Sequence, residues 1–449
     1  MRLILFFVSF QVYQRLMLTA MLSLAAFRFF KDTDLKSASP HYLKKREEEQ
    51  LWQNHERQRQ REVFERINNI EMYVKGAFHD PRDRTDNLIK VWALTTNHHP
   101  VIYCHVKIRS MMEHSVVVKA KMKVREDGLA PYCNWHPSII HCPLQAGVVP
   151  EFVSLSTSEK NITNSWIYVK KPEYKLHKPS SFGICVKTLS HQSDADVDPL
   201  IEWFELNKLV GVNKVIIYDT ENISSNVLSV LHHYQMNGFL DLQPWPLPVK
   251  SLSDNQNVTN GTQCVQYHAE LLARADCLYR FMDDFSHIGF IDFDEFIIPS
   301  GETLLWNDMI SKIESHREFQ KFASYSFDEA CFNTSAKGVP FQVGDTWLNL
   351  RSKNYMRLKD LRRKNKIGHY FKSIIRTQFV TAMNIHGPTG AVKKYTNLVF
   401  VNSTFGTLHH YRNGCKYATG NESLIEDTSI NKYSDKLLQN IKNVHNLLK

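Results

Sequence analysis

Apolar and polar positions follow three different rhythms along this chain. Residues 3–13 and 16–30 are largely apolar, interrupted by Gln14 and Arg15. A spanning helix needs about 20 apolar residues, and neither run reaches that length alone. No small-x-small cleavage site closes the segment, so residues 1–30 read as an uncleaved signal anchor. Residues 31–85 read as a charged stem: from 44 to 68 the chain is dense in Glu, Arg and Gln, which predicts an exposed helix or disordered spacer. Over 86–175 the pattern changes to short β-branched runs, notably 101–108 and 115–124, which predict a small β-rich domain.

From 180 to 445 strand and helix patterns alternate. The expected elements are a strand at 182–189 and an amphipathic helix at 199–210, with Asp198 as N-cap and Pro199 in its first turn. A strand at 214–218 follows, ending at Asp219. Next come a helix at 226–236 closed by Gly238, a strand at 240–243, a longer helix at 263–284 and a strand at 288–293. This order predicts an α/β fold with a mostly parallel, Rossmann-like sheet and right-handed crossovers. Ligands of such sheets gather at the carboxyl ends of the strands, where Asp219, Asp292 and Asp294 fall.

Composition narrows the partners and the compartment. The 449 residues carry a net charge of +9, but the basic residues are scattered and many sit beside Glu47, Glu48 and Glu49. A solvated, partly balanced surface fits this better than a nucleic-acid site, so no nucleic acid is expected. Eight cysteines all lie beyond residue 100. Seven sequons occur, at Asn161, Asn222, Asn257, Asn260, Asn333, Asn402 and Asn421, against roughly three expected by chance. Anchor, even cysteine count and sequons together predict an exoplasmic, disulfide-forming setting. Cys133, His136, His141 and Cys142 resemble a zinc site, yet adjacent His141 and Cys142 crowd one ion. A local Cys133–Cys142 disulfide is the plainer expectation.

The candidate chemistry centres on Asp292-Phe293-Asp294-Glu295, which ends the apolar run 287–291. Buried carboxylates are costly unless something positive holds them. Alternation along the extended strand places Asp292 and Asp294 on one face and Phe293 on the other, offering oxygen ligands to a hard divalent cation. A chain of this length holds roughly one Asp-x-Asp by chance, and Asp194-Ala195-Asp196-Val197-Asp198 is another. That run places Glu205 at the twelfth position of a calcium loop, but Pro199 stands where the loop needs Gly, so it reads as a solvated helix start. Glu295 is expected to make a turn or supporting contact rather than bind the ion.

The chain resembles glycosyltransferase family 92, a group of Golgi membrane enzymes with a GT-A fold. The resemblance rests on Pro199-Leu200-Ile201-Glu202-Trp203, Leu209-Val210-Gly211-Val212, Lys214-Val215-Ile216-Ile217-Tyr218-Asp219, Gln266, Ala269 and Asp276-Cys277-Leu278-Tyr279-Arg280. It continues with Ile291-Asp292-Phe293-Asp294-Glu295-Phe296, Pro299, Lys372-Ser373-Ile374-Ile375-Arg376, Met383-Asn384-Ile385-His386 and His409-His410-Tyr411-Arg412. It spans residues 182–417 and departs from the family pattern at Ala275, His287 and Thr377.

The resemblance implies a hexose transferase of the Golgi lumen, single-pass, using manganese and UDP-galactose on a glycan or glycoprotein acceptor, with inversion. Asp292 and Asp294 are the expected metal ligands, joined by His386, with His409 and His410 as alternatives. Asp328 and Glu329 are the candidates for the general base that inversion needs. Asp219, Arg274, Asp276 and Lys372 are the expected donor contacts.

Overall fold

The computed structural model describes residues 63–448, apart from 68–69, 84–85, 97–100, 109–110, 125–132, 164, 175–179, 253–261, 334–340, 344–345, 349, 351–355, 359–369 and 413–423. The expected anchor, the stem up to residue 62, Asn257, Asn260, Asn421 and Cys415 lie outside the described residues. No helix among the described residues is long and apolar enough to cross a membrane.

The chain forms two large sheets. In the first, Met72–Asp83 pairs antiparallel with Asp86–Thr95, which pairs antiparallel with Cys133–Leu144. Met72, Val74, Ala77 and Phe78 are buried there, so a stretch read as stem is strand, because its apolar residues have a sheet to cover. Thr262–Gln266 belongs to the same sheet through Cys133–Leu144. The helix expected from 263 therefore begins only at Glu270. Strand pairing with a partner more than a hundred residues away decides this conformation, and no local pattern carries it.

The second sheet holds β1 (Phe182–Cys185), β2 (Leu189–Gln192), β3 (Lys214–Ile223), β4 (Leu240–Pro244) and β5 (His287–Phe290). It continues with β6 (Glu295–Pro299), β7 (Ser324–Asn333), β8 (Phe371–Arg376) and β10 (Gly406–Arg412), while β9 (Val380–Met383) forms a separate hairpin. β1 lies between β3 and β5 and is parallel to both, and β4 is parallel to β3. β8 runs antiparallel beside β5, and β7 antiparallel beside β8. The architecture is mixed α/β, with a parallel half and an antiparallel half.

Helices α1 (Val197–Leu209), α2 (Ser225–Met236), α3 (Glu270–Phe281), α4 (Trp306–Ser315) and α5 (Ser434–Leu448) accompany the sheets. α2 starts where the Ser224 side chain accepts the Val227 N–H, and Gly238 follows it with φ +77°, a backbone that favours glycine. The start of α1 differs from expectation: Asp196, not Asp198, is its N-cap. A 3-10 turn over Asp194–Asp196 brings the backbone into helical form before Pro199, and Asp196 accepts from the Ser193 N–H at 2.8 Å. Trp306 of α4 closes on β5 so tightly that a Cβ at Gly289 would sit 2.9 Å from its ring.

Disulfides join Cys104 to Cys142, Cys133 to Cys264 and Cys185 to Cys277, and Cys331 is disulfide-bonded too. The local Cys133–Cys142 bridge is therefore not formed. Both cysteines lie on the one extended strand Cys133–Leu144, which separates them by roughly 30 Å, far beyond disulfide reach.

Candidate active site

The carboxylate motif sits in a turn, not in a strand. β5 ends at Phe290, β6 begins at Glu295, and residues 291–294 turn between them. Asp292 and Asp294 therefore do not share a strand face by alternation, and other contacts set their positions. The Trp203 indole N–H of α1 donates to the carbonyls of Asp292 (3.0 Å) and Glu295 (3.1 Å). Phe293 packs on the same indole, with ring centroids 5.1 Å apart. The Asp292 N–H donates to Glu295 Oε2 at 2.9 Å, and the Tyr411 N–H donates to the Asp294 carbonyl at 2.8 Å. These bonds fix the turn from both sides.

Positive charge reaches the turn from α3 and β8. Arg274 Nη2 donates to Asp292 Oδ1 at 3.2 Å and to Glu270 Oε1 at 2.5 Å. Lys372 Nζ donates to Asp292 Oδ2 at 2.6 Å and lies 3.3 Å from Glu295. Burial opposes ionisation of Asp292, but Lys372, Arg274 and Lys187 outweigh it and hold its carboxyl well below the usual range. Glu295 is fully enclosed, and burial pushes its carboxyl up to about 7 against the pull of Lys372. On the far side, His410 Nδ1 meets Glu329 at 2.6 Å and Nε2 meets Asp294 Oδ2 at 3.3 Å. Burial disfavours the imidazolium, yet the bonds to Asp294 and Glu329 raise it to about 10, so His410 is a cation between two carboxylates at neutral pH.

Of the residues singled out in the sequence, Asp292, Asp294, Arg274, Lys372 and Glu329 share this cluster. His386 adjoins it, packed against Tyr370 and Phe371. Burial, with Lys372 and Arg274, lowers its pKa, so its ring is neutral. Asp328 is exposed, and as Glu329's neighbour on β7 it points to the other face. Asp276 is buried, with Tyr218 Oη donating to it at 2.7 Å and Arg280 Nε at 2.8 Å. It lies two residues from Arg274, on a different face of α3. Asp219 sits on β3, separated from β5 by β1. His409 faces the interior, stacked on Phe332 at 4.7 Å.

Sequence reading missed Glu270, Lys187 and the clamp made by Trp203. The one available signal was Glu270 four residues before Arg274, a helical ion-pair spacing. The three departures from the family pattern have structural uses. His287 stacks on Phe182 at 5.3 Å, Thr377 Oγ1 donates to the Phe285 carbonyl at 2.7 Å, and Ala275 is buried.

Among the described residues, no three His, Cys, Asp or Glu side chains converge on a point that could hold a metal ion. The donor chemistry nevertheless fits a divalent cation. Asp294 keeps 35% of its side chain exposed, and His386 offers a neutral ring whose buried Nδ1 has no hydrogen-bond partner. A buried polar atom without a partner is uncommon in native proteins.

More than half of the chain matches a known family. The family described as Glycosyltransferase family 92 matches residues 180–441. Beta-1,4-galactosyltransferase galt-1 of Caenorhabditis elegans is 23% identical over 330 residues, covering 70% of this chain and 68% of its own. Glycosyltransferase family 92 protein F13G3.3 of the same organism is 30% identical over 78 residues, covering 17% and 15%. Among solved structures, S. aureus TarS 1-349 aligns with TM-score 0.28 and 13% identity, covering 51% of this chain and 60% of that one. The apo structure of the WbbM bifunctional glycosyltransferase aligns with TM-score 0.25 and 9% identity, covering 63% and 53%. These scores are too low to establish a shared fold.

Proposed function

This chain belongs to glycosyltransferase family 92, and we propose that it moves a hexose, galactose from UDP-galactose, onto a glycan acceptor in the Golgi lumen, with inversion and a divalent metal. The observation that carries this reading is the clamped Asp292–Asp294 turn at the carboxyl end of β5, flanked by Arg274 and Lys372. The relative of this chain named as a β-1,4-galactosyltransferase supports galactose as the sugar. The disulfides support an oxidising compartment, and the exposed sequons Asn161 and Asn402 are open to glycosylation there. Membrane attachment through residues 1–30 belongs to the same proposal.

In this reading Asp292, Asp294 and His386 would hold the cation, with manganese the proposed ion. The cation, when bound, stabilises the negative charge that develops on the departing diphosphate. Arg274 and Lys372 keep Asp292 ionised and oriented, so the site needs no proton loss to bind the ion. Trp203 holds the turn in place while substrates enter. Glu329 takes the proton of the attacking acceptor hydroxyl, because it meets His410, which also meets Asp294.

A second reading, a glycan-binding protein without turnover, has one observation on its side: both Asp292 oxygens are already engaged by protein cations. A donor-hydrolysis screen separates the two. The full chain, with manganese, is offered a panel of nucleotide sugars. Preferential hydrolysis of UDP-galactose is the expected result, and hydrolysis of none favours the binding reading.

A further inference from the structure

We propose that Lys187 is the cation that meets the diphosphate of the donor, an assignment that rests on the transferase reading above and names a residue for it. Three observations place it. β1 and β5 pair in parallel from Phe182 opposite His287 to Cys185 opposite Phe290. Lys187 lies two residues past the end of β1 and Asp292 two residues past the end of β5, at the same end of the sheet, and Asp292 is the strongest influence on the Lys187 ammonium. β3 and β4 extend the sheet on one side of β1, while β5 and β8 extend it on the other. The gap between the ends of β1 and β5 is therefore the point where strand order reverses, which is where open α/β sheets bind their ligands.

Charge accounting supplies the second observation. Arg274 is shared between Glu270 and Asp292, Lys372 between Asp292 and Glu295, and His410 between Asp294 and Glu329. All three are buried, and their charge is consumed inside the protein. Lys187 is exposed and makes no ion pair with any described residue. Asp292 raises its pKa, with Asp294 and Glu270 adding to the effect, so its ammonium is charged and faces the carboxylates. An ordinary surface lysine points to bulk water; this one stands over a cluster of acids that a metal-bound diphosphate would approach.

The third observation is how firmly its base is held. Val186 and Thr188 on either side are buried, at 1% and 6% exposure. The Val186 N–H donates to the Ile216 carbonyl at 3.1 Å. One residue earlier, Cys185 is bonded to Cys277 of α3, the helix that carries Glu270 and Arg274. A fixed backbone under an exposed ammonium suits a phosphate contact made when substrate arrives.

The test uses the full chain, with UDP and manganese as the probe. Lys187→Met is expected to weaken UDP binding about 10- to 100-fold, a loss of roughly one to two powers of ten for one charge-assisted contact. The donor kcat/KM falls by at least a similar factor, and the melting temperature stays put because the side chain is exposed. Lys187→Arg restores most of the affinity. UDP affinity of Lys187→Met within about twofold of the wild type overturns the assignment while leaving the transferase reading intact. A wild-type chain that binds neither UDP nor any nucleotide sugar overturns both.

Discussion

Two buried charge clusters sit in this molecule, and they are built in opposite ways. The first joins Asp80 and Arg82 of the strand Met72–Asp83, Lys90 of the strand Asp86–Thr95, and Tyr279 of α3. Arg82 places Nε and Nη2 on the two Asp80 oxygens at 2.8 and 2.9 Å and Nη1 on the Val380 carbonyl at 2.7 Å. Lys90 lies 2.9 Å from Asp80 and donates to the Thr381 carbonyl at 3.0 Å. Its ionic side chains are 5–6% exposed. The second cluster, around Asp292, leaves Arg274 Nη1 and His386 Nδ1 buried without a hydrogen-bond partner, Asp294 a third exposed, and Lys187 open to solvent. A cluster whose donors and acceptors are matched and sealed holds elements together. One that leaves buried groups unmatched beside an open carboxylate fits the ligand site proposed above.

That contrast can be broken at either end. The largest expected effect on stability is at the sealed cluster. Asp80→Asn leaves Arg82 and Lys90 buried without their carboxylate and costs about 3–5 kcal/mol in denaturant unfolding, while the donor KM of the folded fraction is unchanged. A cost below about 1 kcal/mol would mean that the cluster is not the clamp described. Asp294→Asn works the other way. It lowers kcat/KM by on the order of 10²–10³ and shifts the melting temperature by only a few degrees, because the side chain is partly exposed and His410 keeps Glu329. Activity that survives this change removes Asp294 from the metal site.

Trp203→Phe probes the support beneath the open cluster. It deletes the N–H that serves two carbonyls of the turn, and an unsatisfied buried group costs about 1–3 kcal/mol. Circular dichroism should show a folded protein, and kcat/KM should fall about tenfold; an unaltered rate would mean that the remaining bonds hold the turn unaided.

The smallest effect is a difference in pH response, measured on metal-free protein. Burial opposes ionisation of Asp80, but Lys90 and Arg82 outweigh it and depress its pKa. Its contribution to stability is therefore present above the unfolded value near 4 and is lost as pH falls below it. Burial raises Glu295 to about 7, so its contribution is fully present below its unfolded value and is lost as pH rises toward 7. Asp80→Asn should flatten the acid limb of stability, and Glu295→Gln the limb between about pH 5 and 7. Both variants tracking the wild type would remove the linkage.

Much of this was legible in the sequence because it was local. The cap and Gly238 of α2, the strand that became β3, and the acidic turn all announce themselves within a few residues. Arg274 and Lys372 were named as donor contacts from the resemblance, and both reach Asp292. What stayed hidden depends on register and distance. Cys133 bonds to Cys264, 131 residues away, and residues 262–266 become strand because Cys133–Leu144 accepts them. Lys187 looks like any surface lysine until the parallel pairing of β1 with β5 brings the ends of the two strands together. Asp276 and Arg274 look alike in sequence, but the helical turn sends one to Tyr218 and Arg280 and the other to the carboxylates. The acidic motif was read as the end of a strand, whereas its geometry is made by Trp203, Glu295 and Tyr411.

The most direct measurement is calorimetric titration of UDP into the full chain, with manganese and with a chelator, for wild type and Asp294→Asn. The open cluster predicts binding that weakens at least tenfold when manganese is removed and is lost in the variant even with manganese present. Equal affinity with and without the metal, or in the variant, would contradict it.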